Sequence, residues 1–167
     1  MENKEIKKHP FNMLLDKIME KIEIVFSGFA TILMIGMALI LGINIALRFL
    51  LHHSIHWSNE VSRYAYIYIV LLGTAVSYKT GSHAKISFIH DAVSKNFKII
   101  FNVLHYAVML LLSFILIIPG IKHVINMWPV HAPVLTFFPV GIIYISVPLS
   151  AGAILLFVIS KITGIHK

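Results

Sequence analysis

Cysteine is absent from the 167 residues, which excludes disulfides and thiolate metal sites. Acidic residues are scarce: seven, against fourteen lysines and arginines, for a formal net charge of +7. None falls inside a long apolar run. Glu2, Glu5, Asp16, Glu20 and Glu23 precede the first run, and Glu60 and Asp91 lie in connections. A membrane protein that couples substrate movement to protons normally keeps a carboxylate at membrane depth. Without one, either the chain does no transport chemistry or that chemistry belongs to a partner. Catalytic signatures are missing too: no nucleophile elbow, no phosphate-binding glycine loop, no paired carboxylates, no H-E-x-x-H. An enzyme is not expected. No internal repeat is evident, which argues against an inverted-repeat transporter.

What the chain has is apolar surface. It is 58% hydrophobic and 13% charged, with a mean hydropathy of +0.86, more than a soluble domain of this length can bury. A spanning helix needs roughly 20 apolar residues. Four segments are expected to qualify, at about 24–47, 57–79, 99–118 and 139–160; the second does so only if it starts near Trp57. The fold expected is therefore an all-α membrane protein, one domain over 1–167, with four transmembrane helices plus amphipathic interfacial helices. The first apolar run begins too late and is too long for a cleaved signal peptide, so it is expected to stay in the mature protein.

Charge sets the orientation. All basic residues but Arg48, Arg63 and Lys122 lie before span one, between spans two and three, or after span four. The positive-inside rule puts both termini in the cytoplasm. Trp57 and Trp128 fall on the outer side, as interfacial anchors. Topology and attraction to anionic lipid account for the basic excess, so membrane lipid is an expected partner and nucleic acid is not.

Residues 11–23 carry Phe11, Leu14, Leu15, Ile18 and Ile22 at helical spacing, with charged residues on the other face. This reads as an interfacial helix or a cytoplasmic extension of span one. Residues 84–97 read as a second amphipathic helix, with Ile86, Ile89, Val93 and Phe97 on its apolar side. Ala38, Gly42 and Ala46 in span one, and Gly73 and Ser77 in span two, recur at steps of four and predict close helix packing. Pro119-Gly120 is expected to end span three. Prolines at 129 and 133 predict an ordered, extended outer loop. Pro148 is expected to kink span four, with Ser146 and Ser150 at hand for freed backbone groups.

Ser58 is a natural N-cap for span two, with Glu60 in its first turn. Glu60, Arg63 and Tyr64 share one helical face, and a carboxylate and a guanidinium near a bilayer are expected to pair. Two readings stay open: Glu60 and Arg63 only stabilise the helix end, or with Arg48 they bind a second subunit. His52, His53 and His56 are close in sequence, but no cysteine or second carboxylate joins them, so no metal is expected. Haem would need two facing histidines at depth; only His105 comes near a span interior. No cofactor is expected.

The run His56-Trp57-Ser58-Asn59-Glu60-Val61-Ser62-Arg63-Tyr64, then Leu72-Gly73-Thr74-Ala75 and Gly81-Ser82-His83, resembles the small membrane subunit of tripartite ATP-independent periplasmic (TRAP) transporters, the DctQ-like family. Arg48-Phe49, Ala132-Pro133-Val134-Leu135, Pro139 and Tyr144 to Pro148 also fit, so the resemblance spans nearly the whole chain. Two positions depart from the family pattern: Asn59-Glu60 stands where an acidic pair is usual, and Ser87 where an acidic residue often follows the motif histidine. The resemblance implies a non-enzymatic scaffold in the bacterial inner membrane. Its partners would be a large membrane transport subunit that carries substrate and sodium, and a periplasmic substrate-binding protein that it helps to dock. An organic acid is implied as substrate, with sialic-acid systems looking closest. Arg48, Glu60, Arg63 and His83 are the polar residues expected at subunit interfaces or in structural contacts. The alternatives are a cytochrome-b-like anchor of a redox complex, and a small multidrug exporter. The latter needs a carboxylate in span one, which is missing.

Overall fold

The computed structural model describes the backbone of residues 10–81 and 95–162, and side chains over 15–81 and 100–162. Helix α1 runs unbroken from Pro10 to Leu50, opening on a proline, which suits a first helical position. Its 41 residues reach about 60 Å at 1.5 Å per residue, roughly twice the hydrocarbon thickness of a bilayer. Residues 11–23 are thus continuous with the first apolar run.

A short connection reverses the chain. His52 takes a left-handed conformation (φ 52°), and the Asn44 side chain accepts the Ile55 N–H at 2.7 Å. Helix α2 spans Ser58–Thr80. The cap expected of Ser58 is not made: the flanking residue is Trp57, with no side-chain cap. Ser58 lies one position inside, buried, and its hydroxyl donates to the Ile55 carbonyl at 2.8 Å. The loop brings that carbonyl within reach, so the hydroxyl closes the turn and leaves the helix amides alone. At the other end Gly81 sits at φ 71° and donates its N–H to the Ser77 carbonyl, the left-handed stop that favours glycine.

Helix α3 covers Lys95–Met127 and passes through Pro119, where the sequence had suggested an end. A proline removes one ladder hydrogen bond, and apolar helices tolerate this when neighbours cover the gap. Here Gly120 faces the last apolar run: an added Cβ would meet Pro148 Cδ at 3.3 Å and Val147 Cγ1 at 3.4 Å. The breaker pair is a contact point between two helices. The expected helix over 84–97 lies outside the described residues except for its last positions, which open α3.

The last apolar run is split into α4 (Gly141–Tyr144) and α5 (Ser146–Ile162). The break at Ile145 agrees with a disturbance caused by Pro148, whose missing N–H leaves the Tyr144 carbonyl without its ladder donor. Ser146 and Ser150 donate to the carbonyls three residues back, Ile143 at 2.7 Å and Val147 at 3.0 Å.

The helices pack as a row in the order α1, α2, α5, α3, with α4 against α3. The core joins Met19 and Phe26 of α1, Leu72, Ala75 and Tyr78 of α2, and Ala153, Ile154, Phe157 and Val158 of α5. Because the row does not close, its two edge helices are largely uncovered. Three helical stretches are long and apolar enough to cross a membrane: Leu15–Leu50, Ile100–Met127 and Gly141–Ile162. In the first and second, only 6% of the most apolar window is buried within the chain, against 44% in the third. Helix α2 falls short of that standard because polar residues crowd both its ends.

Candidate functional site

Two polar sites tie the row together, one at each end of α2. The one at the N-terminal end of α2, the end expected to face outward, is built on Glu60 in the first turn. Its Oε1 accepts the Tyr64 hydroxyl at 2.6 Å. Its Oε2 accepts the backbone N–H groups of Val134 and Leu135, both at 3.1 Å. The carboxylate thus clasps the connection between α3 and α4 and lies at a helix N-terminus, where negative charge is favoured. Charged acceptors make the stronger hydrogen bonds.

The clasped loop is itself ordered. Ala132 N–H donates to Phe138 O at 3.0 Å and Val140 N–H to Val130 O at 2.8 Å, with an antiparallel bridge between His131 and Pro139. Ala132 is buried, while Val134 and Phe137 are exposed. The expected ordered outer loop is therefore a short hairpin. Phe138 stacks on Tyr64 at 6.0 Å, with ring planes 14° apart. At the loop's end Gly141 lies against the Trp128 backbone, where an added Cβ would stand 2.9 Å from Trp128 Cα. Gly141→Ala is therefore expected to push the hairpin off its seat and to cost about 1–3 kcal/mol, typical of overpacking. A thermal melt of the detergent-solubilised protein reads this as a lowered Tm, whereas the more open Gly152→Ala should stay near wild type.

Arg63 does not pair with Glu60. It is exposed, its guanidinium 5.5 Å from the Tyr64 ring centre. Glu60 is nearly buried and has better partners in two fixed amides than in a flexible cation that can reach water. Arg48 is exposed in the last turn of α1, over the ring of Phe49 at 5.8 Å. No ion pair or hydrogen bond joins Arg48, Glu60 and Arg63, so the three are not one cluster within this chain. His83 lies outside the described residues. Trp57 and Trp128 are both about half exposed. Ala38, Gly42 and Ala46 form an exposed strip on α1, and nothing lies within 4 Å of a Cβ built at Gly42 or Gly73. That face is uncovered among the described residues.

Below the clasp, Tyr68 of α2 donates to the Ile142 carbonyl of α4 at 2.5 Å and meets Phe29 edge-on at 6.0 Å. Between these rings and the hairpin lies an apolar crevice of about 300 Å³, walled by Phe29, Leu33, Ala65, Tyr68, Leu135 and Phe138, among others.

The inner site was not legible in the sequence. Lys79, at the end of α2, bonds Glu23 of α1 at 2.5 Å, with the two side chains 9% and 30% exposed. Its ammonium also lies 6.0 Å from the Phe157 ring centre on α5. Lys161, at the end of α5, donates to the Tyr78 carbonyl at 2.7 Å and sits over that ring at 4.5 Å, supplying a cation to a helix C-terminus. Lys79 and Lys161 thus tie α1, α2 and α5 together at the C-terminal end of α2. Only a 56-residue separation between Glu23 and Lys79, invisible to local spacing, hid this pairing.

His105, the one histidine near a span interior, stacks on Tyr78 at 5.8 Å and has no facing histidine among the described residues. No group of three metal-ligating side chains converges among the described residues either. Residues 18–165 match the family model for the DctQ component of tripartite ATP-independent periplasmic transporters. No curated protein matches the chain.

Proposed function

The chain belongs to the DctQ family of TRAP transporter components, a family of non-enzymatic, multi-pass membrane subunits that implies partnership with the DctM and DctP components; from that premise we propose that it is a scaffold bracing the large transport component. The observation that carries this reading is the open row. Its edge helices α1 and α3 leave nearly all of their most apolar windows uncovered, and α1 adds the exposed strip of Ala38, Gly42 and Ala46. Strips of small residues let a second helix approach closely in a membrane. The clasped outer hairpin presents exposed Val134 and Phe137, a surface suited to helping dock the periplasmic binding protein.

The proposal includes four spans, with α2 as the fourth. Its polar ends, Glu60 with Arg63 and Lys79, sit one at each interface, where they are tolerated. Both termini are cytoplasmic. Sodium coupling and an organic acid as substrate, sialic acid among the candidates, rest on the family resemblance alone.

Two experiments test this. Affinity purification from native membranes is expected to bring down the large membrane component in comparable amount; recovery of a stable, self-sufficient small subunit instead would sink the bracing reading. The cysteine-free sequence makes single-cysteine mapping clean. A membrane-impermeant maleimide added from the periplasmic side is expected to label Ser54→Cys and Thr136→Cys, but not Ser82→Cys. Protection of Thr136→Cys would mean that α2 does not cross.

A further inference from the structure

The crevice between α1, α2 and the outer hairpin has walls with no polar group to offer. Phe29, Leu33, Val61, Ala65, Leu135 and Ile142 contribute carbon. The two tyrosine hydroxyls are spent, Tyr64 on Glu60 and Tyr68 on the Ile142 carbonyl. Whatever enters must therefore present hydrocarbon, since an unpaired polar group there would cost several kcal/mol. The rim is different. Arg63 follows Ser62 into the second turn of α2, exposed, with its guanidinium beside the Tyr64 ring that lines the crevice. Among the described residues no carboxylate lies within ion-pair distance of it, since the Glu60 oxygens are engaged by three other donors. A planar guanidinium matches phosphate oxygens in geometry and is weakly hydrated. Trp57, six residues earlier, is half exposed at the level expected for an aromatic anchor.

An anion-seeking rim over a hydrocarbon-seeking crevice describes one amphiphile. We propose that the crevice is a phospholipid site, with one acyl chain between Leu33, Ala65 and Tyr68 and the phosphate on Arg63. The lipid belongs to the outer leaflet, an assignment that rests on the topology proposed above. It fills the gap that the row leaves between α1 and the hairpin, so the hairpin is seated by Glu60 on one side and by lipid on the other. Arg63, exposed beside the Tyr64 ring, is then also a lipid ligand.

The test uses the assembled transporter in nanodiscs doped with phosphatidylglycerol bearing a diazirine near the end of one chain. After irradiation, peptides containing Leu33, Tyr68 and Ile142 are expected to carry several-fold more label than the peptide containing Leu149 and Leu156, which are exposed on α5, inside the row. Ala65→Phe, which fills the crevice, is expected to abolish that excess. Arg63→Gln, a surface change that leaves folding intact, is expected to reduce it several-fold. With a diazirine diacylglycerol, which lacks the phosphate, the excess should be small and indifferent to Arg63→Gln. Should Ala65→Phe fail to assemble, the Arg63→Gln comparison decides alone. Labelling no higher than on α5, labelling indifferent to Arg63→Gln, or crosslinks from the crevice to the large component would overturn the proposal. Cysteine mapping reads the topology independently, so an inverted orientation and an unoccupied crevice give different results.

Discussion

Replacing Glu60 by alanine is expected to cut the yield of assembled complex several-fold and to lower the Tm of the purified subunit by several degrees. The reason is what the carboxylate leaves behind. Its Oε2 is the acceptor for two backbone amides of the outer hairpin, and its Oε1 for the Tyr64 hydroxyl. Alanine strands all three donors in a site that is nearly buried, and a stranded buried donor costs more than the bond was worth. Glu60→Gln should be much milder. Its carbonyl oxygen can still accept the two amides, while its NH₂ donates to a rotated Tyr64 hydroxyl. What glutamine loses is the charge-assisted part and the favourable interaction with the helix N-terminus. Arg63→Ala should leave the Tm of the subunit nearly unchanged, because the arginine is exposed and its interactions with the Tyr64 ring and the Glu60 charge are screened by water. Equal losses for Glu60→Ala and Glu60→Gln would show that charge, rather than the clasp, is what matters. A loss of Tm in Arg63→Ala would restore the idea that the two residues act as one.

The second large effect is expected at the inner end. Glu23→Ala removes the partner of a lysine whose side chain is only 9% exposed. Breaking a buried pair costs about 3–5 kcal/mol. Here the loss should be about 2 kcal/mol, since Glu23 itself is partly exposed and Asp16 and Glu20 border the same cavity. Lys79→Met should cost less, about 1 kcal/mol, because Glu23 at 30% exposure can turn to water. The double variant Glu23→Ala/Lys79→Met should lie closer to wild type than Glu23→Ala does. Thermal unfolding of the four proteins completes the cycle. Strictly additive losses would mean that the 2.5 Å contact carries no coupling and that each residue acts alone.

Much of this was legible in residue types. The apolar runs announce helices because a chain surrounded by lipid must satisfy its backbone within each segment. Pro148 announced a disturbed last run, and the structure breaks it at Ile145. Other local signals failed for a common reason. Ser58 looks like a cap and Pro119-Gly120 like a stop, but a nearby loop carbonyl took the serine hydroxyl and the approach of Pro148 uses the glycine. Local propensity is a weak vote that a tertiary neighbour can outweigh. Likewise Glu60 and Arg63 share a helical face, and spacing alone pairs them. Two amides more than 70 residues away proved the better partners.

By itself the sequence determined that this chain lives in a membrane, that it has no carboxylate inside an apolar run for coupling, and which family it belongs to. These follow from composition, from charge placement and from short motifs, all of which are local. Only the tertiary structure decided that the helices form an open row, that Glu60 holds the outer hairpin, and that Glu23 and Lys79 lock the inner end. Those depend on which distant donor reaches which acceptor first, and on which faces remain uncovered once the chain has packed. Neither quantity is written in any one segment.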